Sequence, residues 1–308
     1  MTLTLLATET CLGLTLILSL ALGFTALKHR SSDMEVGARR RLLHATLILL
    51  LTAGFLALAV GILRHTFVVR IDAFVAQALF NLRAPWLDRL MMLMSALGDG
   101  RARTTATVLL VVFLLWRRRH RWALALGLVM IAAAVLTPVL KTAFHLARPS
   151  LLYSGADAFS FPSGHATSAA ALYLVLTWIV SRSAAGAGRA LFASLALAIV
   201  LLTALSRIYL GAHWLSDVLA GLALGVALGL GGVLLASGDD RAATQGEAWN
   251  GGVVVAVLVG VALVLGPKAY GKAERLYAPY LNRPANRVVD PGHLGGAPGH
   301  RIIAPPGV

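Results

Sequence analysis

Acidic residues are scarce in this chain, with 13 Asp and Glu against 27 Lys and Arg among 308 residues, and charged residues of both signs make up only 13%. Water-soluble domains carry roughly twice that charged fraction, so a soluble fold is excluded. The outer acids Asp72, Asp88, Asp99 and Asp157 are scattered along the chain, which argues against a two-metal hydrolase built on clustered carboxylates. Cysteine is nearly absent. Cys11 stands alone at the start of the first apolar run, leaving neither a disulfide framework nor a thiolate metal site. Basic residues are missing ahead of that run, Glu9 interrupts it, and no clear small-residue cleavage site follows, so a retained first span is expected and not a signal peptide.

What the chain has in abundance is apolar sequence: 58% of residues are hydrophobic and the mean hydropathy is +0.79. Apolar runs at 12–27, 42–63, 104–116, 122–140, 166–180, 190–205, 215–236 and 251–265 predict about eight membrane spans in an all-α, polytopic helical bundle. Runs such as 104–116 are shorter than the ~20 residues needed to cross a bilayer, so their helices are expected to extend into flanking polar residues. The net charge of +14 does not gather into one soluble basic face, and nucleic acid is not an expected partner. Instead Lys28, Arg30, Arg39, Arg40 and Arg41 crowd one short loop and Arg117, Arg118, Arg119 and Arg121 another, as cytoplasmic loops do. Between them, the stretch from Asp72 to Gly100 reads as interfacial helices on the outer side. The chain divides into an added span and basic loop at 1–41, a multi-span body at 42–236, a loop and last span at 237–266, and a tail at 267–308. Pro279, Pro284, Pro291, Pro298, Pro305 and Pro306, interleaved with glycine, predict that the tail from Pro267 is largely disordered.

Three polar clusters interrupt the apolar pattern, each at a predicted span end on the side away from the basic loops. They are Lys141 with Arg148 and Pro149; Pro162, Ser163, Gly164 and His165; and Ser206 and Arg207 followed by His213 and Asp217. Polar groups at such positions are candidates for function, and these can converge on one pocket at the membrane surface. Three cations, Lys141, Arg148 and Arg207, suit a phosphate: arginine forks match its oxygens and lysine supplies a point charge. His213 and Asp217, four residues apart, would share a helix face, so the carboxylate can hold one ring nitrogen while the other attacks phosphorus. Ser163 and Gly164, ahead of a predicted helix, can offer backbone N–H groups and a hydroxyl to phosphate oxygens, with the helix dipole behind them. His165 is placed to protonate a leaving oxygen.

Each cluster alone has a plainer explanation: an interfacial anchor, a helix start, a structural pair. Together they resemble the type 2 phosphatidic acid phosphatase superfamily, through Lys-x6-Arg-Pro, Pro-Ser-Gly-His and Ser-Arg-x5-His-x3-Asp in that order. The resemblance covers about residues 42–236 and implies a six-helix core with the site at the outer face. It further implies Lys141, Arg148 and Arg207 as phosphate ligands, Ser163 and Gly164 as hydrogen-bond donors, His165 as general acid, His213 as nucleophile through a phosphohistidine, and Asp217 as its orienting partner. No metal or other cofactor is expected.

The expected activity is therefore metal-independent removal of phosphate from a membrane lipid, such as undecaprenyl pyrophosphate, phosphatidylglycerol phosphate, phosphatidic acid or a lipid A phosphate. The expected location is a bacterial inner membrane with the site facing the periplasm. A lipid-to-lipid phosphotransferase on the same scaffold is the nearest alternative; a vanadate-dependent haloperoxidase and a non-enzymatic anion transporter fit less well. Nothing in the pattern bears on oligomeric state. Outside the clusters, His29, His44, His65, His120, His293 and His300 are expected to be non-catalytic, His145 could touch substrate, and Glu9 has no basic partner nearby in sequence.

Overall fold

The computed structural model describes residues 2–28, 36–149, 158–183, 186–237 and 248–281. These form ten α-helices: α1 (Thr2–Lys28), α2 (Val36–Leu63), α3 (Phe67–Asn81), α4 (Pro85–Leu97), α5 (Gly100–Trp116), α6 (His120–Phe144), α7 (Gly164–Ser183), α8 (Gly186–Tyr209), α9 (Leu215–Ala236) and α10 (Ala248–Leu281). Seven of them, α1, α2 and α6 to α10, are long and apolar enough to cross a membrane. The chain is a multi-pass membrane protein. The eighth expected span exists as α5, whose 17 residues rise about 25 Å, short of a ~30 Å hydrocarbon layer. It lies between α6 and α10.

Helix α9 sits at the centre, in contact with α2, α6 and α7. Its approach to α7 is set by glycines four residues apart. A Cβ on Gly221 would lie 2.6 Å from the Ser163 carbonyl oxygen, one on Gly225 2.2 Å from that of Thr167, and one on Gly229 3.1 Å from the Leu174 side chain. Only hydrogen fits between these backbones, the small-residue contact by which helices associate when no water drives them together. The run 215–236 was legible as a span, but its glycine seam defines which face meets α7.

The two ends of the bundle differ. At one, Trp122 and Trp178 meet edge to face at 5.3 Å, with the Arg119 and Arg182 guanidinium groups over their rings. This is the end of the basic loops. Helices α6 and α8 run from it to the other end, where α7 and α9 begin, so Lys141, His165, Arg207 and His213 all arrive at the opposite face.

One expectation is corrected. The stretch from Pro267 is not irregular throughout: α10 continues unbroken to Leu281. Five of the six prolines behind the expectation of disorder, Pro284 onward, fall outside the described residues, whereas 267–281 is rich in Ala, Lys, Glu, Arg and Leu, all good helix formers. Glu9 also has a partner, since its carboxylate accepts from Arg64 Nε at 2.5 Å, pinning α1 along α2. That partner is 55 residues away, invisible to a search of the local sequence. Of the dismissed histidines, His29, His293 and His300 lie outside the described residues.

Candidate active site

The third cluster is built by a chain reversal between α8 and α9. Gly211, at φ +66°, takes a left-handed conformation that side chains resist, and the backbone N–H groups of Ala212 and His213 then both donate to the Arg207 carbonyl at 3.0 Å. Helix α9 begins at once: Trp214 is its N-cap, and the Asp217 carboxylate reaches back to accept from the Trp214 N–H at 2.9 Å. His213 therefore precedes the helix and shares no helical face with Asp217. The cap folds them together nonetheless, with His213 Nδ1 3.5 Å from Asp217 Oδ2.

A second carboxylate secures the same turn. Asp72 of α3 is 1% exposed and accepts from the Ser216 N–H at 2.8 Å and the Ser216 hydroxyl at 2.6 Å, closing the first turn of α9 where the dipole favours negative charge. Sequence gave Asp72 only as part of an outer segment. Its partner lies 144 residues on, with no local pattern to announce it.

The first and second clusters are knitted to this turn by hydrogen bonds. Arg148 Nη1 donates to the Ala212 carbonyl at 2.7 Å and lies 3.1 Å from His213 Nε2. The Ala147 carbonyl accepts from Trp214 Nε1 at 2.9 Å and from the Ser160 hydroxyl at 3.0 Å, and Ala147 bridges to Phe159. The Ser163 N–H donates to the Asp217 carbonyl at 3.0 Å. Ser163 was expected to offer that N–H to phosphate; it is already engaged in holding α7 to α9. Its hydroxyl is fully buried with no hydrogen-bond partner among the described residues.

Lys141, Arg148, Gly164, His165, Arg207 and His213 line one cavity of about 580 Å³. Asp217 and Ser163, both 0% exposed, lie behind this lining. His145 does not line it; it caps α6 in a left-handed conformation, is exposed, and packs its ring edge against Phe159. Burial foremost, then the charges of Arg148, Arg207 and Lys141 and the nearby His165, hold the His213 pKa well below the ordinary 6.5. A neutral imidazole has one N–H and one lone pair. Since Arg148 can only donate, the lone pair belongs at Nε2, and Nδ1–H points toward Asp217.

Several lining residues were missed from sequence. Ser95 accepts from Arg207 Nη1 at 2.5 Å. Asp99 and Arg103 stand at the start of α5, and Ala269, Lys272, Ala273, Leu276 and Tyr277 form a wall from α10. Arg103 could have been found by the rule that found Lys141, an ionisable group at a span end. The α10 wall was hidden because 267–281 was grouped with the tail expected to be disordered. Tyr277 is 2% exposed and carries the Arg207 guanidinium over its ring at 5.6 Å. Among the described residues, no group of three or more His, Cys, Asp or Glu is placed to hold a metal ion.

The sequence model of the PAP2 superfamily matches residues 122–239. Phosphatidylglycerophosphatase B of Bacillus subtilis is 31% identical over 180 residues, covering 56% of this chain and 87% of the relative. Decaprenylphosphoryl-5-phosphoribose phosphatase of Mycobacterium tuberculosis is 35% identical over 118 residues, 37% of this chain and 60% of that one. Among solved structures, a transmembrane PAP2-type phosphatidylglycerolphosphate phosphatase from Bacillus subtilis superposes with a TM-score of 0.53 at 29% identity, covering 64% of this chain and 98% of the other.

Proposed function

The chain belongs to the PAP2 superfamily, and from that membership we propose that it is a metal-independent lipid phosphatase whose His213 takes the phosphoryl group before water does. The observation that carries this proposal is His213 itself: Nε2 faces Arg148 at 3.1 Å in a cationic cavity, while Nδ1 is turned toward Asp217. A ring held this way has its lone pair on the side where phosphate is bound.

Lys141, Arg148 and Arg207 hold the scissile phosphate and neutralise charge on its equatorial oxygens in the transition state. His213 Nε2 attacks phosphorus as the bond to the leaving oxygen breaks, and His165 gives that oxygen a proton. Water then attacks the N–P bond, passing its proton to His165, and orthophosphate leaves with His213 restored. The acyl or prenyl tail stays in the bilayer. Undecaprenyl pyrophosphate, phosphatidylglycerol phosphate and phosphatidic acid are the substrates proposed. The two relatives named above are phosphatases whose names include lipid phosphates, and the cationic lining suits such head groups. The basic ends of α2 and α6 support a cytoplasmic assignment for that end and a periplasmic one for the site.

The test is phosphate release from a panel of these lipids by detergent-purified protein, with chelator in excess and His213→Ala as control. Release that survives chelation and falls on the order of 10⁴-fold in the variant is expected. Release that disappears with chelator, or persists in His213→Ala, would overturn the proposal.

A further inference from the structure

The cavity carries more positive charge than a phosphate monoester can use. Its lining includes five cations, Lys141, Arg148, Arg207, Arg103 and Lys272, and one carboxylate, Asp99, a formal excess of +4. A phosphate monoester brings about −2. Two of the five, Arg103 and Lys272, lie outside both the three motif clusters and the matched residues 122–239.

These two are not placed at random around the cavity. Arg103 Nη1 donates to the Gly164 carbonyl at 3.4 Å, beside His165, and at the preceding turn a Cβ on Gly98 would stand 3.1 Å from His165 Cδ2. Arg103 thus sits by His165, while Arg148 sits by His213. Its Nε is buried without a hydrogen-bond partner, a donor left waiting in a charged cavity. Lys272 approaches from α10, which packs on α5. Its helix is anchored through buried Ala273 and Tyr277, but its own side chain is 70% exposed and its Nζ stands 3.7 Å from Asp99 Oδ2. Asp99 meanwhile spends its other oxygen on capping α5, accepting from the Arg101 N–H at 2.9 Å. A largely exposed lysine held by one carboxylate oxygen can exchange it for a phosphate at little cost.

We propose that Arg103 and Lys272 form a second anion subsite, which takes a second phosphate carried on the leaving group of the substrate. This rests on the function proposed above, because His165 marks the leaving-group side. The favoured substrate class is an amphiphile with two phosphates, either a lipid pyrophosphate or a terminal phosphate joined through a short head group to a phosphodiester.

The experiment compares matched lipids in mixed micelles: polyprenyl pyrophosphate against polyprenyl monophosphate, and phosphatidylglycerol phosphate against phosphatidic acid. The wild-type protein should favour the two-phosphate member by about tenfold or more in kcat/KM, and Lys272→Ala should remove most of that ratio, chiefly through KM. A preference confined to one pair identifies which kind of second phosphate the subsite takes. Calorimetry on His213→Ala protein supplies a readout free of turnover, in which inorganic pyrophosphate should bind more tightly than orthophosphate, and adding Lys272→Ala should narrow the gap. An unchanged lipid ratio in Lys272→Ala, or equal binding of the two anions, overturns the second subsite while leaving the phosphatase intact. Folded protein that hydrolyses no lipid overturns the proposed function instead.

Discussion

Replacing Asp72 with Asn tests whether the α9 turn sets the reactivity of His213. The carboxylate accepts two hydrogen bonds from Ser216, at 2.8 and 2.6 Å, in a fully buried setting. An amide keeps one acceptor oxygen for the Ser216 N–H and can donate to the Ser216 hydroxyl, so both bonds become neutral and their charge assistance is lost, a cost of about 2 kcal/mol. Removing negative charge from the helix N-terminus adds up to about 1 kcal/mol. The variant should still fold, with a thermal midpoint in detergent lower by several degrees. Ser216 is three residues from His213, and a displacement near 1 Å of a reacting group costs on the order of 10²-fold. The expected result is kcat down by roughly 10- to 100-fold with KM nearly unchanged, because Lys141, Arg148 and Arg207 stand on other segments. Full kcat in a protein whose midpoint has fallen would refute the coupling between the α9 cap and His213. A rise in KM with kcat preserved would refute it equally.

The low pKa of His213 predicts the acid side of the pH profile. The unfolded imidazole protonates near pH 6.5 and the folded one only well below it, so the stability this group contributes is fully present above 6.5 and is lost as pH falls toward the lowered folded value, where the neutral ring that the proposed mechanism needs is lost as well. The acid limb of kcat/KM should lie below pH 6.5, and a limb at or above that value would contradict the cationic, buried setting. In the α7–α9 seam, Gly225→Ala should lower the thermal midpoint markedly, since its Cβ would meet the Thr167 carbonyl oxygen at 2.2 Å, whereas Gly231→Ala, with nothing within 4 Å, should be neutral or slightly stabilising. Equal midpoints for the two would argue against a tight seam. Tyr277→Ala should raise KM several-fold by removing the ring beneath Arg207; phosphate-release kinetics unchanged by that variant would show that the α10 wall does not shape the site.

The parts of the site that could be read in the sequence are those whose chemistry is local. Lys141, Arg148, His165, Arg207 and His213 stand as ionisable groups at the ends of apolar runs, and alternation of the spans sufficed to bring them to one face. What escaped notice depends on distant partners or on local composition diluted by its surroundings. Asp72 acquires its role from Ser216, Glu9 from Arg64, and Ser163 spends its N–H on Asp217, none of which any periodicity encodes. The tail was judged by its average, and 267–281 differs from that average. For His213 and Asp217 the spacing of four gave the right proximity for the wrong reason: a capping turn brings them together, and the helix starts only after the histidine.

Helix α10 follows every motif residue in chain order and still supplies a wall of the cavity. During biosynthesis, therefore, His213 is laid down well before the surface that encloses it. Residues up to Ala236 supply His213, Lys141, Arg148 and Arg207, whereas Lys272 and Tyr277 come from the helix that follows. The cavity is complete only once that last helix is in place, with Tyr277 under Arg207.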